Sequence, residues 1–291
     1  MTPPPLPDDV IDAIREQVAG SPMAAHVDAM LPHVRPAINL RVDDEPDDDP
    51  RVGGTRIRGP VDAPPGWRWP TRNGVPLALL AQFDCAELEP VDYFNQLPHA
   101  GVLSFFYDLA HRAWGDEPDA RDAARVEYFP DASALRRVDS DPPQSSAYGA
   151  KLFLTWELPS QARWFKRRFG HLSHEQQFAD YARYLSDIVP PAVIPLSGHQ
   201  LLGHATREQD DDLELQCEAR RRGIKRLKPA NPAYRAVDQA AEDWILLAQF
   251  AWDDETLTGE DFGDGHLYYF IRRNDLALRD FRSIQIFFEV S

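Results

Sequence analysis

The stretch LLAQFD, from Leu79 to Asp84, decides the fold, because it returns almost unchanged as LLAQFA, from Leu246 to Ala251. Both copies are apolar runs of the length of a covered strand, bounded by polar residues. An acidic loop follows each copy, and a second strand-like segment follows the loop, GVLSFFYD at 101–108 and GHLYYFIR at 265–272. Two matched strands in the same order predict a duplicated β-unit whose halves are related by a pseudo-two-fold axis.

Each copy contains one glutamine, Gln82 in the first and Gln249 in the second. Strand alternation predicts that Gln82 shares a face with Leu80, and that Gln249 shares a face with Leu247. A covered amide needs hydrogen-bond partners. In one interpretation each glutamine fastens a loop backbone or pairs with its counterpart across the axis. In the other, both amides face a shared groove and bind a polar ligand.

The composition is that of an acidic globular protein. Among 291 residues, 47 are acidic and 31 are Lys or Arg, which gives a formal net charge of −16. This balance disfavours general binding to nucleic acid or to anionic membranes, because their binding proteins present a basic surface. It suits a protein that covers a basic protein partner, and it also suits plain solubility.

The compartment is predicted from the cysteines and the N-terminus. Cys85 and Cys217 lie far apart and make no disulfide framework. The opening residues MTPPPLPDDV have neither the basic region nor the apolar core of a signal peptide, and no run is long enough to span a membrane. These features predict a cytoplasmic protein without a membrane segment.

The chain is predicted to be an α+β protein with largely antiparallel sheets, the internal duplication and added N-terminal helices. Residues 1–50 comprise a proline-rich tail, two helices and the acidic loop DDEPDDDP. Residues 51–291 form the duplicated domain, with repeat units at about 67–156 and 233–291 and a helical middle at 160–232. The middle is predicted to begin with two helices, SQARWFKRRFG and SHEQQFADYARYLSDI, and to continue with the loop SGHQLLGHATREQ.

Motifs of nucleotide enzymes and common hydrolases are missing. The sequence lacks G-x-x-x-x-G-K-[ST], a G-x-G-x-x-G that opens a helix, and G-x-S-x-G. His199, His204 and Cys217 are residue types that bind zinc, but their spacing is irregular and a fourth ligand is missing, so no metal or cofactor is predicted. Cys217 and His199 could act as nucleophile and base, or both could be structural residues. Catalytic residues are left unassigned.

A basic cluster stands out in this acidic chain, formed by Arg220, Arg221, Arg222, Lys225, Arg226 and Lys228. Its chemistry suits contact with a phosphate or an acidic surface. No aromatic residues are interleaved with it, unlike in a platform for single-stranded nucleic acid. The other interpretation is a solvated segment that pairs with the acids of EQDDDLE just upstream.

Six blocks of the sequence resemble, in order, the YwqG-like family of bacterial proteins: GWRWP, LALLAQFDCAELEPV, LPHAGVLSFFYD, HQLLGHATREQ, DWILLAQF and GHLYYFIRRNDLALRDF. The resemblance runs from about Gly53 to the C-terminus. It implies an α+β protein with largely antiparallel sheets and an internal duplication, and it supplies no reaction, cofactor or catalytic residue. Members of such families often lie beside bacterial toxin and secretion genes, which implies an immunity role.

Two functions are predicted. The first is a non-enzymatic binding protein of the immunity type that blocks a basic protein partner, favoured by the net charge, the missing catalytic motifs and the resemblance. The second is a small-molecule enzyme or sensor whose site lies in the groove between the repeats. In that groove Gln82, Gln249, His199 and Gln200 would orient a polar ligand.

Overall fold

The structure, a computed structural model, describes residues 4–20, 22–115, 117, 120–138, 145–158, 198–206, 208–209, 213–225, 227–252, 257 and 265–290. Its strands, in chain order, are β1 (Arg35–Val42), β2 (Arg56–Arg58), β3 (Asp62–Ala63), β4 (Thr71–Arg72), β5 (Val75–Pro76), β6 (Ala78–Asp84), β7 (Val102–Tyr107), β8 (Ala124–Phe129), β9 (Arg136–Arg137), β10 (Ala147–Glu157), β11 (Gln200–Leu202), β12 (Trp244–Ala251), β13 (Gly265–Arg272) and β14 (Gln285–Val290). Ten strands form one antiparallel sheet in the order β14-β13-β12-β11-β1-β10-β2-β6-β7-β8. Two small ladders, β3-β9 and β4-β5, accompany it.

The described helices are short: α1 (Asp8–Val18), α2 (Val27–Met30), α3 (Cys85–Leu88), α4 (Leu213–Arg221), α5 (Tyr234–Ala240) and α6 (Arg273–Ala277). The predicted α+β class with a mainly antiparallel sheet is confirmed. The two helices predicted at the start of the middle segment lie outside the described residues. No described helix combines the length and the apolar character that crossing a membrane requires.

The sheet curls so that its two ends face each other across one apolar core. Phe105 of β7 has its ring centroid 5.5 Å from that of Phe250 in β12 and 5.3 Å from that of Tyr269 in β13. The Tyr269 hydroxyl donates to the Phe106 carbonyl at 3.0 Å. Side chains from both LLAQF strands therefore pack into a single core.

The two LLAQF strands contain the same irregularity. The pairing register shifts around Leu80 between β6 and β7, and around Leu247 between β12 and β13. A bulge sets two residues of one strand opposite one residue of its partner. Leu80 and Leu247 consequently join the main core, whereas Leu79 and Leu246 join separate clusters. The strict alternation predicted for these strands was therefore wrong at the second leucine of each.

The N-terminal helices pack on a small core of their own. Its buried members are Ile14, Val18, Met30, Val34 and Leu158. The first helix begins with two acids, which suit the positive end of a helix dipole. The second predicted helix is shorter than expected, because a 3-10 turn at Pro22–His26 precedes α2.

One segment predicted to be a loop contains a strand. The predicted loop SGHQLLGHATREQ includes β11, which pairs with β1 on one side and with β12 on the other. Tertiary pairing decides this element, since its local pattern is weak. The helix α4 lies within the middle segment predicted to be helical, and its Leu213 and Cys217 are buried.

The two edge strands, β8 and β14, do not pair with each other, and we call the gap between them the seam. The Phe288 N–H of β14 donates there to the Trp114 carbonyl at 3.2 Å. Gly115 has a φ of +95°, and a Cβ on it would lie 2.1 Å from the Ile286 carbonyl oxygen, so only glycine fits. Arg220 Nη1 donates to the same carbonyl at 3.1 Å. The edge of β14 is thus partly covered.

Candidate functional site

Gln82 is buried among charged side chains. Its Nε2 donates to the Gly54 carbonyl at 3.0 Å and to Asp62 Oδ2 at 3.2 Å, and its Oε1 accepts from Arg56 Nη2 at 3.3 Å. Arg56 and Asp62 form an ion pair at 2.8 Å, with side-chain exposures of 2% and 0%. The amide of Gln82 is therefore satisfied inside the fold.

Asp62 stays ionised in this interior. Burial alone raises the pKa of Asp62, but the Arg56 charge, the Gly53 N–H and Arg137 together hold it below its usual value. Arg137 Nε donates to Asp62 Oδ1 at 2.8 Å, and the Gly53 N–H donates to Oδ2 at 2.8 Å. Burial in turn lowers the pKa of Arg56. Charge compensation and hydrogen bonds together hold the network in place.

Gln249 fastens a loop with neutral partners. Its Nε2 donates to the Gly198 carbonyl at 3.1 Å and to Thr206 Oγ1 at 3.0 Å. Its Oε1 accepts from the Thr206 N–H at 2.8 Å. Gln249 is 1% exposed, so its amide, like that of Gln82, is engaged within the protein.

His199 and Gln200 also bind the protein itself. The buried His199 ring accepts the Ala251 N–H at Nδ1 over 2.9 Å, so Nε2 carries the proton of the neutral ring. Gln200 Nε2 donates to the His204 carbonyl at 3.0 Å and to Glu157 Oε2 at 3.2 Å. Both side chains thus position the segments that flank β11.

Glu157, at the end of β10, binds the segment that follows β11. Burial raises the pKa of Glu157 to about 7, although the His204 N–H and the Gln200 and Asn39 side chains act in the opposite direction. These three neutral donors lie at 2.8, 3.2 and 3.4 Å from the carboxylate oxygens. Its cross-strand neighbour Arg35 forms no ion pair with it in the described part of the chain.

A groove of about 820 Å³ lies along the seam, between β8, β14 and α4, and we call it the seam groove. Its apolar lining comes from Leu215, Ala219, Ile224, Leu227, Ile284 and Ile286. A volume of this size is typical of sites for small molecules. The groove is therefore a candidate ligand site formed where the sheet does not close.

Four cations and one acid make up the charged part of the described lining of the seam groove: Arg121, Arg220, Lys225, Lys228 and Glu117. The acid is already engaged, since Glu117 accepts the N–H groups of Trp114 and Gly115 at 2.8 and 2.9 Å. Arg220 is engaged as well, because its guanidinium lies 3.9 Å from the centroid of the Phe287 ring and caps the edge of β14.

Three groove cations have no partner in the part of the chain that the structure describes. Within the described residues, the side chains of Arg121, Lys225 and Lys228 make no hydrogen bond and no ion pair. All three are exposed at the rim of an apolar groove. Such an arrangement suits the binding of an anionic group beside an apolar one.

A side cavity of about 340 Å³ adjoins the groove and shares Arg121, Ala124, Ile284 and Gln285 with it. Four further arginines line it: Arg125, Arg221, Arg272 and Arg282. All four are paired with acids: Arg125 with Glu127 at 3.8 Å, Arg221 with Glu218 at 2.7 Å, Arg272 with Asp243 at 2.8 Å and Arg282 with Asp280 at 2.6 Å. Among the described arginines of the side cavity, Arg121 is therefore the one without an acid partner, and it belongs to both spaces.

The four ligand residues predicted from the sequence do not meet in one cavity. Gln82 lies on β6 with the charged network, whereas Gln249, His199 and Gln200 lie around β11 and β12. None of the four lines the seam groove or its side cavity. Their role in ligand binding stays a prediction, and the structure gives each of them partners inside the protein.

The groove residues were only partly visible in the sequence. The basic cluster RRRGIKRLK supplies Arg220, Lys225 and Lys228. Arg121 and Ile284 gave no signal, because each stands alone in an ordinary stretch and reaches the groove only through the curl of the sheet. Cations without an acid partner among the described residues mark the groove in the structure. A single sequence does not show which charged side chains form ion pairs.

The histidines and cysteine considered as zinc ligands make other contacts in the structure. Among the described residues, no three His, Cys, Asp or Glu side chains lie close enough to hold a metal ion. His204 Nε2 lies 2.9 Å from the His33 carbonyl oxygen. Cys217 packs in a cluster with Trp244, and burial raises the pKa of the Cys85 thiol to about 12.

Most of the chain matches one protein family. A family model described as a domain of unknown function (DUF1963) matches residues 55–289, which is most of the chain. No curated protein matches. The region matched includes β6 to β14, the seam and α4.

We expect Gln82→Ala and Gln249→Ala each to lower the free energy of unfolding by about 2–4 kcal/mol, since each leaves buried polar groups without a partner. Urea denaturation measures this. The matched control is Gln239→Ala on the exposed face of α5, which should change stability by less than about 0.5 kcal/mol. Two glutamine variants as stable as the control would contradict a structural role.

We expect the stability of the protein to fall as pH rises from about 4.5 to 7, the usual and raised pKa values of Glu157. In this range the folded protein binds the proton more tightly than the unfolded chain does. Glu157→Gln should remove about 2 kcal/mol of this pH dependence, allowing for partial exposure. Urea midpoints across that range measure it. The control is Glu89→Gln on an exposed turn, and equal profiles for all three proteins would refute the expectation.

Proposed function

The chain belongs to the DUF1963 family, a domain of unknown function, and we propose that it is a binding protein that holds an amphipathic anion of small-molecule size in the seam groove. The observation that carries the proposal is a set of cations on the rim of an apolar groove that have no partner among the described residues. An apolar body would lie against Leu215, Ile224 and Ile286, with its anionic group toward Arg121, Lys225 and Lys228.

The energetics favour such a ligand over a purely polar one. Burial of apolar ligand surface supplies most of the free energy in sites of this kind. Charge-assisted hydrogen bonds from Lys or Arg then select an anion. Because Glu117 and Arg220 already bind the protein, they shape the groove and leave the selection to the remaining cations.

This proposal places the ligand in a groove between the two ends of the sheet, as the second function predicted from the sequence does, but with different residues. It includes the finer prediction that these ends are copies of one β-unit. Three observations support duplication: the LLAQF repeat, the bulge at the second leucine of each copy, and the mirrored strand order around β1 and β10.

The glutamine contacts support duplication as well. Gln82 donates to Gly54, two residues before its cross-strand partner Arg56. Gln249 donates to Gly198, two residues before its own cross-strand partner, Gln200. The narrower assignment to the bacterial YwqG-like family is part of the same proposal and is supported by the six sequence blocks.

An immunity-type protein that blocks a basic partner is the second candidate. The exposed loop DDEPDDDP at 43–50, with six acids, and the net charge of −16 favour it. Asp44, Glu45 and Asp48 make no hydrogen bond or ion pair within the described residues, so they are available to cations. Cytoplasmic location belongs to this candidate as a proposal.

We expect the groove to bind anilinonaphthalene sulfonate, an apolar body with one anionic group, and decanoate to displace it better than decanol does. The triple variant Arg121→Ala, Lys225→Ala, Lys228→Ala should weaken both anions by about tenfold, because it removes the charge-assisted contacts. Probe fluorescence in titrations measures the affinities.

The control for the groove is Arg41→Ala, Arg68→Ala, Lys151→Ala, which makes the same change in net charge at exposed positions away from the groove. It should bind both anions as the parent protein does. If the two triple variants bind with equal affinity, the groove cations have no role and the proposal fails.

For the second candidate, we expect a basic protein to be retained from native lysate at near-equal stoichiometry and released by salt. The variant Asp44→Asn, Glu45→Gln, Asp48→Asn should lose most of it. Neutralising Asp9, Asp12 and Glu16 on α1 is the control and should retain it. Retention of the same protein by the loop variant, or of none by the parent, would eliminate this candidate.

A further inference from the structure

A small pocket of about 50 Å³ lies between the starts of β1 and β12, the end of β11 and the start of α6. Its walls include the apolar side chains of Pro36, Phe94, Ile245 and Leu246. Two arginines, Arg35 and Arg273, also line it. It shares no lining residue with the seam groove or the side cavity.

Neither arginine has a partner among the residues whose positions the structure describes. Within the described residues, neither guanidinium makes a hydrogen bond or an ion pair. Burial, and to a lesser extent the charge of Arg273, lower the pKa of Arg35 to about 10. Burial likewise lowers the pKa of Arg273. Two like charges therefore face one partly desolvated space, which is unfavourable unless an anion joins them.

The acids near the pocket are not close enough to compensate. Asp243 acts on Arg273 only at a distance and already pairs with Arg272 at 2.8 Å. Glu214 likewise acts on Arg35 without forming an ion pair with it. Arg56 shows the contrast, since this buried arginine has Asp62 at 2.8 Å.

The wall formed by β11 is fixed in place. Leu202 has a φ of 61°, which is rare for a leucine, and its carbonyl accepts from Gln200 Nε2 at 3.0 Å. A Cβ on Gly203 would lie 2.4 Å from Glu157 Oε2 and 2.5 Å from the Cβ of Ala37. The backbone beside the arginines is therefore held tightly, as expected of a preformed site.

We propose that Arg35 and Arg273 form a binding site for one phosphate or carboxylate group. Two guanidinium forks match the oxygens of such a group, and the apolar walls strengthen each charge-assisted hydrogen bond. The pocket volume admits one anionic group rather than a whole metabolite. The group is either a free ion or the end of a larger molecule whose remainder stays outside.

The test compares thermal stability in inorganic phosphate, glycerol phosphate and acetate with stability in chloride at equal ionic strength. The parent protein should be stabilised by at least one of the three anions. Arg35→Met and Arg273→Met should weaken that anion about tenfold or more, from the loss of a charge-assisted pair. Arg68→Met, which removes an exposed arginine with no partner among the described side chains, should behave as the parent does.

The three anions distinguish the sources. Stabilisation by inorganic phosphate but not by glycerol phosphate indicates that the ligand is a free ion. Stabilisation by both indicates the phosphate end of a larger molecule. Stabilisation by acetate alone indicates a carboxylate. Each supports the site, provided that the Met variants lose the response. No response in the parent protein, or equal responses in Arg35→Met and Arg68→Met, overturns it.

A second measurement uses the unaltered protein and does not depend on whether the variants fold. Phenylglyoxal modifies accessible arginines, and mass spectrometry locates the products. The stabilising anion should slow modification of Arg35 and Arg273 at least fivefold, as expected when a bound anion covers both guanidiniums. Modification of Arg68 should be unchanged. Equal protection of all three arginines, or stronger protection of Arg121 in the seam groove, overturns the proposal.

Discussion

The ion pair between Arg56 and Asp62 is the contact on which the first half of the sheet depends. β2 has only three residues, yet it joins β10 to β6 at the middle of the fold. Two buried charges each carry a desolvation penalty of several kcal/mol, and only close compensation offsets it. Asp62 receives hydrogen bonds from Arg56, Arg137, Gln82 and the Gly53 N–H. Because Arg137 belongs to β9, the same carboxylate also fastens the small ladder outside the main sheet.

The second half of the sheet is held at the corresponding place by neutral groups. Gln249 binds Gly198 and Thr206, and His199 accepts a backbone N–H from β12. Loss of a neutral partner leaves one unsatisfied dipole, whereas loss of Arg56 would leave a buried charge. The glutamine does the same structural work in both halves, since it binds the backbone that leads into a short neighbouring strand. A short strand with few ladder hydrogen bonds needs such side-chain support.

The long strands could be predicted from the sequence alone. The features that depend on contacts between distant segments could not. β6, β7, β12 and β13 were visible as apolar runs in a repeated order. The bulges were not, because one extra residue leaves no mark in an apolar run, and the faces predicted for Leu80 and Leu247 were reversed as a result. β11 is stabilised by pairing with strands on both sides, so its local sequence still resembles a loop. The seam groove combines Arg121, Lys225 and Ile284, which only the curl of the sheet brings together.

The two proposed anion sites are compatible with the acidic composition because of where the charges lie. At −16 the protein repels anions at long range, so electrostatic steering does not bring them in. That repulsion is screened within about 10 Å at ordinary ionic strength. At shorter range the neighbouring charges decide whether an anion can bind. There the buried acids already form ion pairs, Asp62 with Arg56 and Glu218 with Arg221. Several cations have no acid partner among the described residues, and those at the seam groove and at the pocket of Arg35 lie beside apolar walls that strengthen short-range contacts. At the two proposed sites, selectivity for anions would therefore come from which internal ion pairs are complete, and the net charge would have little part in it.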